Sequence, residues 1–204
     1  MVRARSTYRF FVAAIVAIAL VFVWRPSLSS AANIGSTSCG GYPRNCVSLG
    51  AGNSHVFHYY SLTAQTAAAM DWALVNVYQP IRDLYVYWTA TYGNADVIVF
   101  DLYWGDGPIG WVDCPAAASP GGVHPGHWCF GQSLYWNQTF TARPDWIDFQ
   151  RHYVACHETG HTLGLRHTQW DPGYPNPTGS CMFADIAHSR VLTSHDINHI
   201  NASY

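Results

Sequence analysis

The stretch HETGHTLGLRH, residues 157–167, places three histidines and one glutamate at fixed intervals. Residues four apart on an α-helix lie on the same face, so a helix here would direct the imidazoles of His157 and His161 toward one ion. Gly164 can adopt the left-handed conformation that ends a helix and turns the chain, which would bring His167 round as a third ligand. Three protein ligands leave a fourth position for water, which is typical of catalytic zinc rather than structural zinc.

Glu158 is the only glutamate in the chain, since all the other acidic residues are aspartates. It follows the first histidine, where its carboxylate would reach the edge of the site and accept a proton from a metal-bound water. The alternative is that these are polar surface residues on an ordinary helix, because a five-residue HExxH match does occur by chance. The additional glycine and third histidine at a fixed spacing favour a zinc site.

These residues resemble a known family. HETGHTLGLRH matches the HExxHxxGxxH signature of the metzincin clan of zinc endopeptidases. That clan has a methionine-containing turn beneath the metal, and Ser180–Phe183 resembles it, with Met182 as the methionine. The resemblance implies an α+β, metzincin-like zincin fold with a twisted mixed sheet, an active-site helix and a C-terminal helix. Ala184 stands where some metzincins have a tyrosine near the zinc, which points away from the astacin and serralysin branches.

Three further stretches resemble the matrixin branch. Residues 95–100 resemble the strand along the substrate cleft, and residues 192–200 resemble the closing helix. Residues 106–110 resemble a loop that holds structural calcium, which implies a calcium ion at Asp106, although Asp-Gly-Pro is also ordinary turn chemistry. No cysteine-switch motif is visible. Small secreted bacterial metzincins such as the snapalysin group are similar in size, but they use aspartate where His167 stands.

The N-terminus has the pattern of a secretory signal peptide. A basic n-region is followed by an apolar run over residues 10–24 and by small residues at 29–32. The run is shorter than the ~20 residues that span a bilayer. We therefore predict that residues 1–31 are a signal peptide and that the protein is secreted, with no stable membrane association after cleavage. An uncleaved signal anchor is the alternative, because Arg25 flanks the run.

The predicted mature protein is acidic. Residues 1–31 contain four of the ten arginines, so six remain against twelve acidic residues, a net charge of 6 − 12 = −6, and the chain has no lysine. Such a protein is a poor candidate for binding nucleic acid or an anionic membrane surface. The remaining length suits one domain. We divide it into an N-terminal disulfide loop segment, residues 32–54, and a metallopeptidase catalytic domain, residues 55–204, and expect a monomer.

Six cysteines in an exported protein favour disulfides over free thiols. Six cysteines allow fifteen connectivities. Their order along the chain favours Cys39–Cys46, Cys114–Cys129 and Cys156–Cys181. The last pair would join the residues before His157 and Met182, bracing the ligand helix against the turn beneath the metal. A cysteine nucleophile or a Cys-ligated zinc is the alternative, but the chain has no CxxC pair.

Periodicity and breaker residues predict the remaining elements. Two helices are predicted, one over residues 63–78, starting at Thr63 or Thr66, and the ligand helix over residues 145–163, with Pro144 in its first turn. Residues 105–131 are predicted to form a long loop. Four strands are predicted: His55–Tyr60, Leu84–Thr89, Val97–Phe100 and Ser133–Trp136.

Several other polar residues allow two interpretations of their role. His124, His127 and His152 could hold a second metal, although surface or packing roles account for them equally well. Asn137-Gln138-Thr139 is a glycosylation sequon, relevant only in a eukaryotic secretory pathway.

The sequence therefore predicts a secreted zinc endopeptidase for protein or peptide substrates, with Glu158 as general base. An extended peptide could pair with the strand near residues 96–100, and residues 183–187 are expected to shape the pocket beside the metal. Two alternatives remain open. One is a secreted zinc-binding module without protease activity, and the other is a zinc hydrolase acting on a non-peptide amide.

Overall fold

The computed structural model describes residues 49–50, 53–113, 128–129, 131–170, 173–185 and 188–204. The predicted signal peptide lies outside the described residues, and so does most of the predicted disulfide loop segment, residues 32–54. The predicted pairs Cys39–Cys46 and Cys114–Cys129 also lie outside them, as do His124 and His127. In this part of the chain, no helix is long and apolar enough to cross a membrane.

The described part of the chain contains seven strands, which form two sheets. They are β1 Leu49–Gly50, β2 Ser54–Tyr60, β3 Tyr85–Trp88, β4 Val97–Leu102, β5 Gly110–Asp113, β6 Trp128–Cys129 and β7 Gln132–Asn137. Five of them form one sheet in the order β3-β2-β4-β7-β5. The first four run parallel, and β5 pairs antiparallel with β7. The other two, β1 and β6, form a short parallel pair. All four predicted strands are present.

The prediction that an extended peptide could pair with the strand near residues 96–100 is wrong. β4 pairs with β2 on one side and with β7 on the other, so its backbone groups are already used. Its first residues, Val97, Ile98 and Val99, are all buried, as expected for a parallel strand covered on both faces. β4 is therefore an interior strand, and an extended peptide cannot pair with it.

One of the two edge strands lies in the segment that was predicted to be a loop, and the other is β3. Residues 110–113 form β5, whose register places Gly110 opposite Trp136 and Trp111 opposite Tyr135. The segment is short and is surrounded by glycines and prolines, which are typical of loops, so its hydrophobic pattern does not predict a strand. In the described part of the chain, β7 is the one strand that pairs with β5.

Helix α1, Ala64–Ala73, starts at Thr63, whose hydroxyl accepts a hydrogen bond from the Thr66 N–H at 3.2 Å. It continues as a π-helix over Leu74–Tyr78 and stops before Pro80. The predicted extent of this helix is confirmed. The change to a π-helix, which brings Tyr78 toward the ligand helix, was not predicted.

Helix α2 is a single turn, Gln138–Thr141, directly after β7, and helix α3, Asp148–Thr162, is the ligand helix. α3 starts later than predicted, and Pro144 lies in the turn before it rather than in its first turn. The Gln150 side chain accepts a hydrogen bond from the Ile147 N–H at 2.9 Å and so marks the true start.

Helix α4, Ser194–Asn201, matches the predicted C-terminal helix. One core lies between the sheet and helices α1, α3 and α4. Its fully buried members include Phe57, Met70, Val99, Leu134, Trp136 and Ile200. The predicted fold class, an α+β arrangement of one mixed sheet with an active-site helix and a C-terminal helix, is confirmed.

Candidate metal centre

The predicted grouping of the three histidines is confirmed. His157 and His161 lie one turn apart on α3, and the chain turns at Gly164, which has a φ of 91°. This turn returns His167 to the same place. The Nε2 atoms lie 3.0 Å apart for His157 and His161, 3.0 Å for His157 and His167, and 3.2 Å for His161 and His167. Among the described residues, this is the group of three or more potential ligands that could hold a metal ion.

The protonation of these rings follows from their other nitrogens. His157 Nδ1 lies 2.6 Å from the Cys181 carbonyl, and His161 Nδ1 lies 2.7 Å from the Leu165 carbonyl. A carbonyl oxygen only accepts, so each Nδ1 must donate, and a neutral ring then has a bare lone pair at Nε2. Burial lowers the pKa of His157 to about 3 and holds that of His161 well below its usual value, which keeps both rings neutral.

Converging lone pairs repel each other unless a cation lies between them. Three nitrogens bound to one tetrahedral zinc at about 2.0–2.1 Å would be separated by roughly 3.3 Å, close to the observed spacing. Backbone carbonyls that fix the Nδ1 protons are the usual outer partners of metal-bound histidines. His157, His161 and His167 therefore fit a zinc ion with one coordination position left open.

Glu158 directly follows His157 on α3 and is 5% exposed. Its Oε2 is buried and has no hydrogen-bond partner in the described part of the chain. Burial raises the pKa of Glu158 to about 8. A cation held by the histidines would lower it again, because an opposite charge favours the carboxylate. The arrangement suits a carboxyl group that exchanges protons near neutral pH.

Solved structures that are distantly similar to this chain include two proteins. High choriolytic enzyme 1, a hatching-enzyme zinc protease from the medaka fish Oryzias latipes, is 13% identical, with a TM-score of 0.46 over 83% of this chain and 97% of that one. The crystal structure of myroilysin is 14% identical, with a TM-score of 0.48 over 80% of this chain and 88% of that one. No protein-family model and no curated protein matches the sequence. Because both likenesses are distant, the chemistry must be judged from this chain's own residues.

Met182 lies beneath the ligand helix. A β-carbon on Gly160 would come within 2.3 Å of Met182 Sδ, so the helix and the turn touch where glycine leaves room. The turn is also joined to α3 by the disulfide Cys156–Cys181, which is fully buried. Tyr153, one turn before His157, donates to the Phe183 carbonyl. These contacts place the turn directly under the histidines.

Asp196 supports this turn and was missed in the sequence. It is fully buried on α4, and its Oδ2 accepts from Ser180 Oγ at 2.7 Å, from the Thr193 N–H at 2.9 Å and from the Tyr174 hydroxyl. Ser180 Oγ in turn accepts from the Met182 N–H at 3.0 Å. The capping-box spacing of Thr193 and Asp196 was visible in the sequence, but the reach to Ser180 was not.

The far end of α3 is held by two strands. His55, fully buried on β2, donates from Nε2 to Thr162 Oγ1 at 3.0 Å, because that hydroxyl donates its own hydrogen to the Thr159 carbonyl at 2.7 Å. Gln132 on β7 donates to the Thr162 carbonyl at 2.8 Å. Tyr78, from the π-helix, donates to the Cys156 carbonyl. No sequence pattern identifies these contacts, since their partners are far apart along the chain.

The remaining predicted site residues lie elsewhere. His152 stacks on Trp72, with ring centroids 4.1 Å apart, which is a packing role. Asp106 is exposed and belongs to no group of potential ligands in the described chain, so the predicted calcium has no support. Asn137 is fully buried, and its side-chain amide donates hydrogen bonds. The sequon is therefore not accessible for glycosylation in the folded protein.

Proposed function

We propose that this protein is a secreted zinc-dependent endopeptidase. One observation carries the proposal: three Nε2 lone pairs converge within 3.2 Å, with Nδ1 of His157 and His161 fixed as donors. The buried Glu158 directly follows His157 on the same helix. This combination provides three metal ligands and a proton acceptor, which is the donor set of a hydrolytic zinc site.

Zinc held by His157, His161 and His167 would lower the pKa of a water and polarise the carbonyl of the bond to be cleaved. Glu158 accepts the proton of the attacking water at its carboxylate and then delivers it to the leaving amine. The burial of Glu158 supports this role, because a desolvated carboxyl group binds and releases a proton near neutral pH.

β5 is the strand best placed to hold the substrate. It is one of the two edge strands of the five-stranded sheet, with β3 at the other edge, and Gly110 at its start lies against Glu158. An extended peptide can add to such an edge through main-chain hydrogen bonds. The scissile bond would then pass beside the glutamate. The peptide substrate class rests on this placement, whereas the single buried glutamate by itself suits a non-peptide amide hydrolase equally well.

Secretion is part of the proposal. The basic and apolar N-terminal pattern has the form of a signal peptide, and the buried disulfide Cys156–Cys181 suits an oxidising compartment. Sequencing the N-terminus of the protein recovered from culture medium tests it. Recovery of a chain starting near residue 32 supports secretion, and retention of residues 1–31 in the membrane fraction supports the signal-anchor alternative.

Activity is tested with casein and gelatin, with and without a zinc chelator, on the wild type and on Glu158→Gln. We expect chelator-sensitive cleavage and a loss of roughly 10²–10⁴-fold in Glu158→Gln with zinc still bound. His161→Ala should lose both zinc and activity, whereas the control His152→Ala, outside the cluster, should keep both. Zinc binding without cleavage of either protein would favour the binding module, and cleavage that survives Glu158→Gln would contradict the mechanism.

A further inference from the structure

The loop between β4 and β5, residues 103–109, is organised by one buried side chain. Asn137, at the end of β7, donates from Nδ2 to the Gly105 carbonyl at 3.1 Å and to the Pro108 carbonyl at 3.0 Å. Its Oδ1 accepts from the Trp104 N–H at 3.1 Å. Its backbone N–H donates to the Ile109 carbonyl at 2.8 Å. Asn137 alone therefore forms hydrogen bonds with four residues of the loop: Trp104, Gly105, Pro108 and Ile109.

Neighbouring groups leave this amide no freedom. Asn137 Oδ1 also accepts from the Thr139 N–H at 3.1 Å, and Thr139 Oγ1 accepts from the Gly105 N–H at 2.9 Å. Both amide hydrogens and the amide oxygen are therefore in use, which fixes the orientation of the side chain. The Trp104 ring packs edge-on against Trp111 of β5, with centroids 5.2 Å apart. The loop is bound both to β7 and to the strand that it leads into.

The position of this loop matters because Gly110 follows it directly. A β-carbon on Gly110 would lie 2.7 Å from Glu158 Oε1, 2.8 Å from Cγ and 2.9 Å from Cδ. The backbone of β5 therefore forms one wall of the space occupied by the glutamate. A shift of Pro108 or Ile109 would move this wall, and the carboxylate would move with it.

We propose that Asn137 is a positioning residue for Glu158: it holds the loop so that Gly110 lies against the carboxylate. The inference rests on the proposed function, since it assigns Glu158 the role of general base. The Asn137 amide donates hydrogen bonds to the carbonyls of Gly105 and Pro108, which are groups that a calcium ion could otherwise bind. These two carbonyls are therefore already bound by the Asn137 amide.

Asn137→Asp tests the proposal with almost no change in shape. A carboxylate oxygen would replace the donating nitrogen and face two carbonyl oxygens, so the loop should be released from β7. We expect kcat to fall on the order of 100-fold, the cost of misplacing a catalytic group, with one zinc still bound per chain. Asn94→Asp, the same substitution at an exposed site, is the control and should change kcat less than twofold.

Calcium separates a positioning role from general damage. Three oxygens brought together by Asn137→Asp are ligands that calcium prefers. Millimolar calcium should therefore raise the melting temperature and restore part of the kcat of Asn137→Asp, but not of Asn137→Ala or the wild type. If kcat of Asn137→Asp stays within twofold of the wild type, or if zinc is lost in proportion to activity, the proposal is wrong.

A second pair of variants tests the contact with Glu158 without any activity measurement. Gly110→Ala should lower the melting temperature of the wild type, because the new β-carbon overlaps the glutamate, and should have little effect in a Glu158→Ala background. Equal effects in both backgrounds would overturn the proposal. If the wild type cleaves no protein, the proposed function fails, but this cycle still decides whether Gly110 lies against Glu158, and the effect of calcium on the melting temperature of Asn137→Asp still decides whether Asn137 holds the loop.

Discussion

Gly160 and Met182 are in such close contact that a β-carbon on the glycine would lie 2.3 Å from the methionine Sδ. Gly160 is in the ligand helix between the histidines His157 and His161. The same hypothetical β-carbon would lie 3.1 Å from the Tyr78 hydroxyl. The helix can approach both the turn beneath the metal and the π-helix because this position has no side chain.

Gly160→Ala should therefore destabilise the protein. In an ordinary helix interior, replacing glycine by alanine stabilises by roughly 1 kcal/mol. Here the overlap with Met182 should reverse the sign and cost about 1–3 kcal/mol, with weaker zinc binding because the histidines move. Urea unfolding and zinc titration measure the two effects. Gly93→Ala is the control, because no atom lies within 4 Å of its added carbon. A stabilised Gly160→Ala would show that the helix and turn are not in contact.

The disulfide Cys156–Cys181 should contribute to both stability and metal binding. It joins residues 25 apart in sequence, next to His157 and Met182. The loop-closure model gives about 3.5 kcal/mol for a loop of this length. We expect Cys156→Ala/Cys181→Ala to lose about this much in denaturant unfolding and to bind zinc more weakly. An unchanged unfolding midpoint together with unchanged zinc affinity would contradict the bracing role.

The Asp196–Ser180 hydrogen bond should hold the turn beneath the metal. Ser180→Ala removes a donor to the buried carboxylate and the acceptor of the Met182 N–H. We expect a loss of about 1–3 kcal/mol. Asp196→Asn should cost more, because its oxygen accepts from three residues. Ser189→Ala, at a position whose hydroxyl makes local contacts with the Val191 backbone, is the control for loss of a serine hydroxyl. If the three variants unfold at the same denaturant concentration, the network does not contribute.

His55 should make the protein less stable in acid. Burial lowers its pKa from 6.5 to about 3. Below pH 6.5, His55 therefore binds a proton in the unfolded chain but stays neutral in the folded chain. The stabilising contribution of the neutral, buried His55 to the free energy of unfolding is fully present above pH 6.5. It decreases as the pH falls toward 3, by roughly 1.4 kcal/mol per pH unit. His55→Gln keeps a donor for Thr162 and should flatten this slope by about one proton. Unfolding free energies measured between pH 4 and 6.5 test it, and an unchanged slope would contradict it.

Local spacing accounts for what could be predicted. His157 and His161 come together because one helical turn separates them, and Gly164 supplies the turn that returns His167. The four predicted strands were recognisable from β-branched and aromatic runs between turn residues. The pairing of Cys156 with Cys181 followed from their order once two closer pairs were assigned, and that disulfide is present.

The choice of strands at the two edges of the sheet depends on long-range pairing. Residues 97–102 and residues 110–113 both form strands, but hydrogen bonds between distant segments make the first interior and the second the edge beside Glu158. No local period encodes that choice. The roles of Asn137, Asp196 and His55 were hidden for the same reason. Local spacing was enough to identify the three histidines of the candidate site, whereas long-range packing selected the residues that hold them in place.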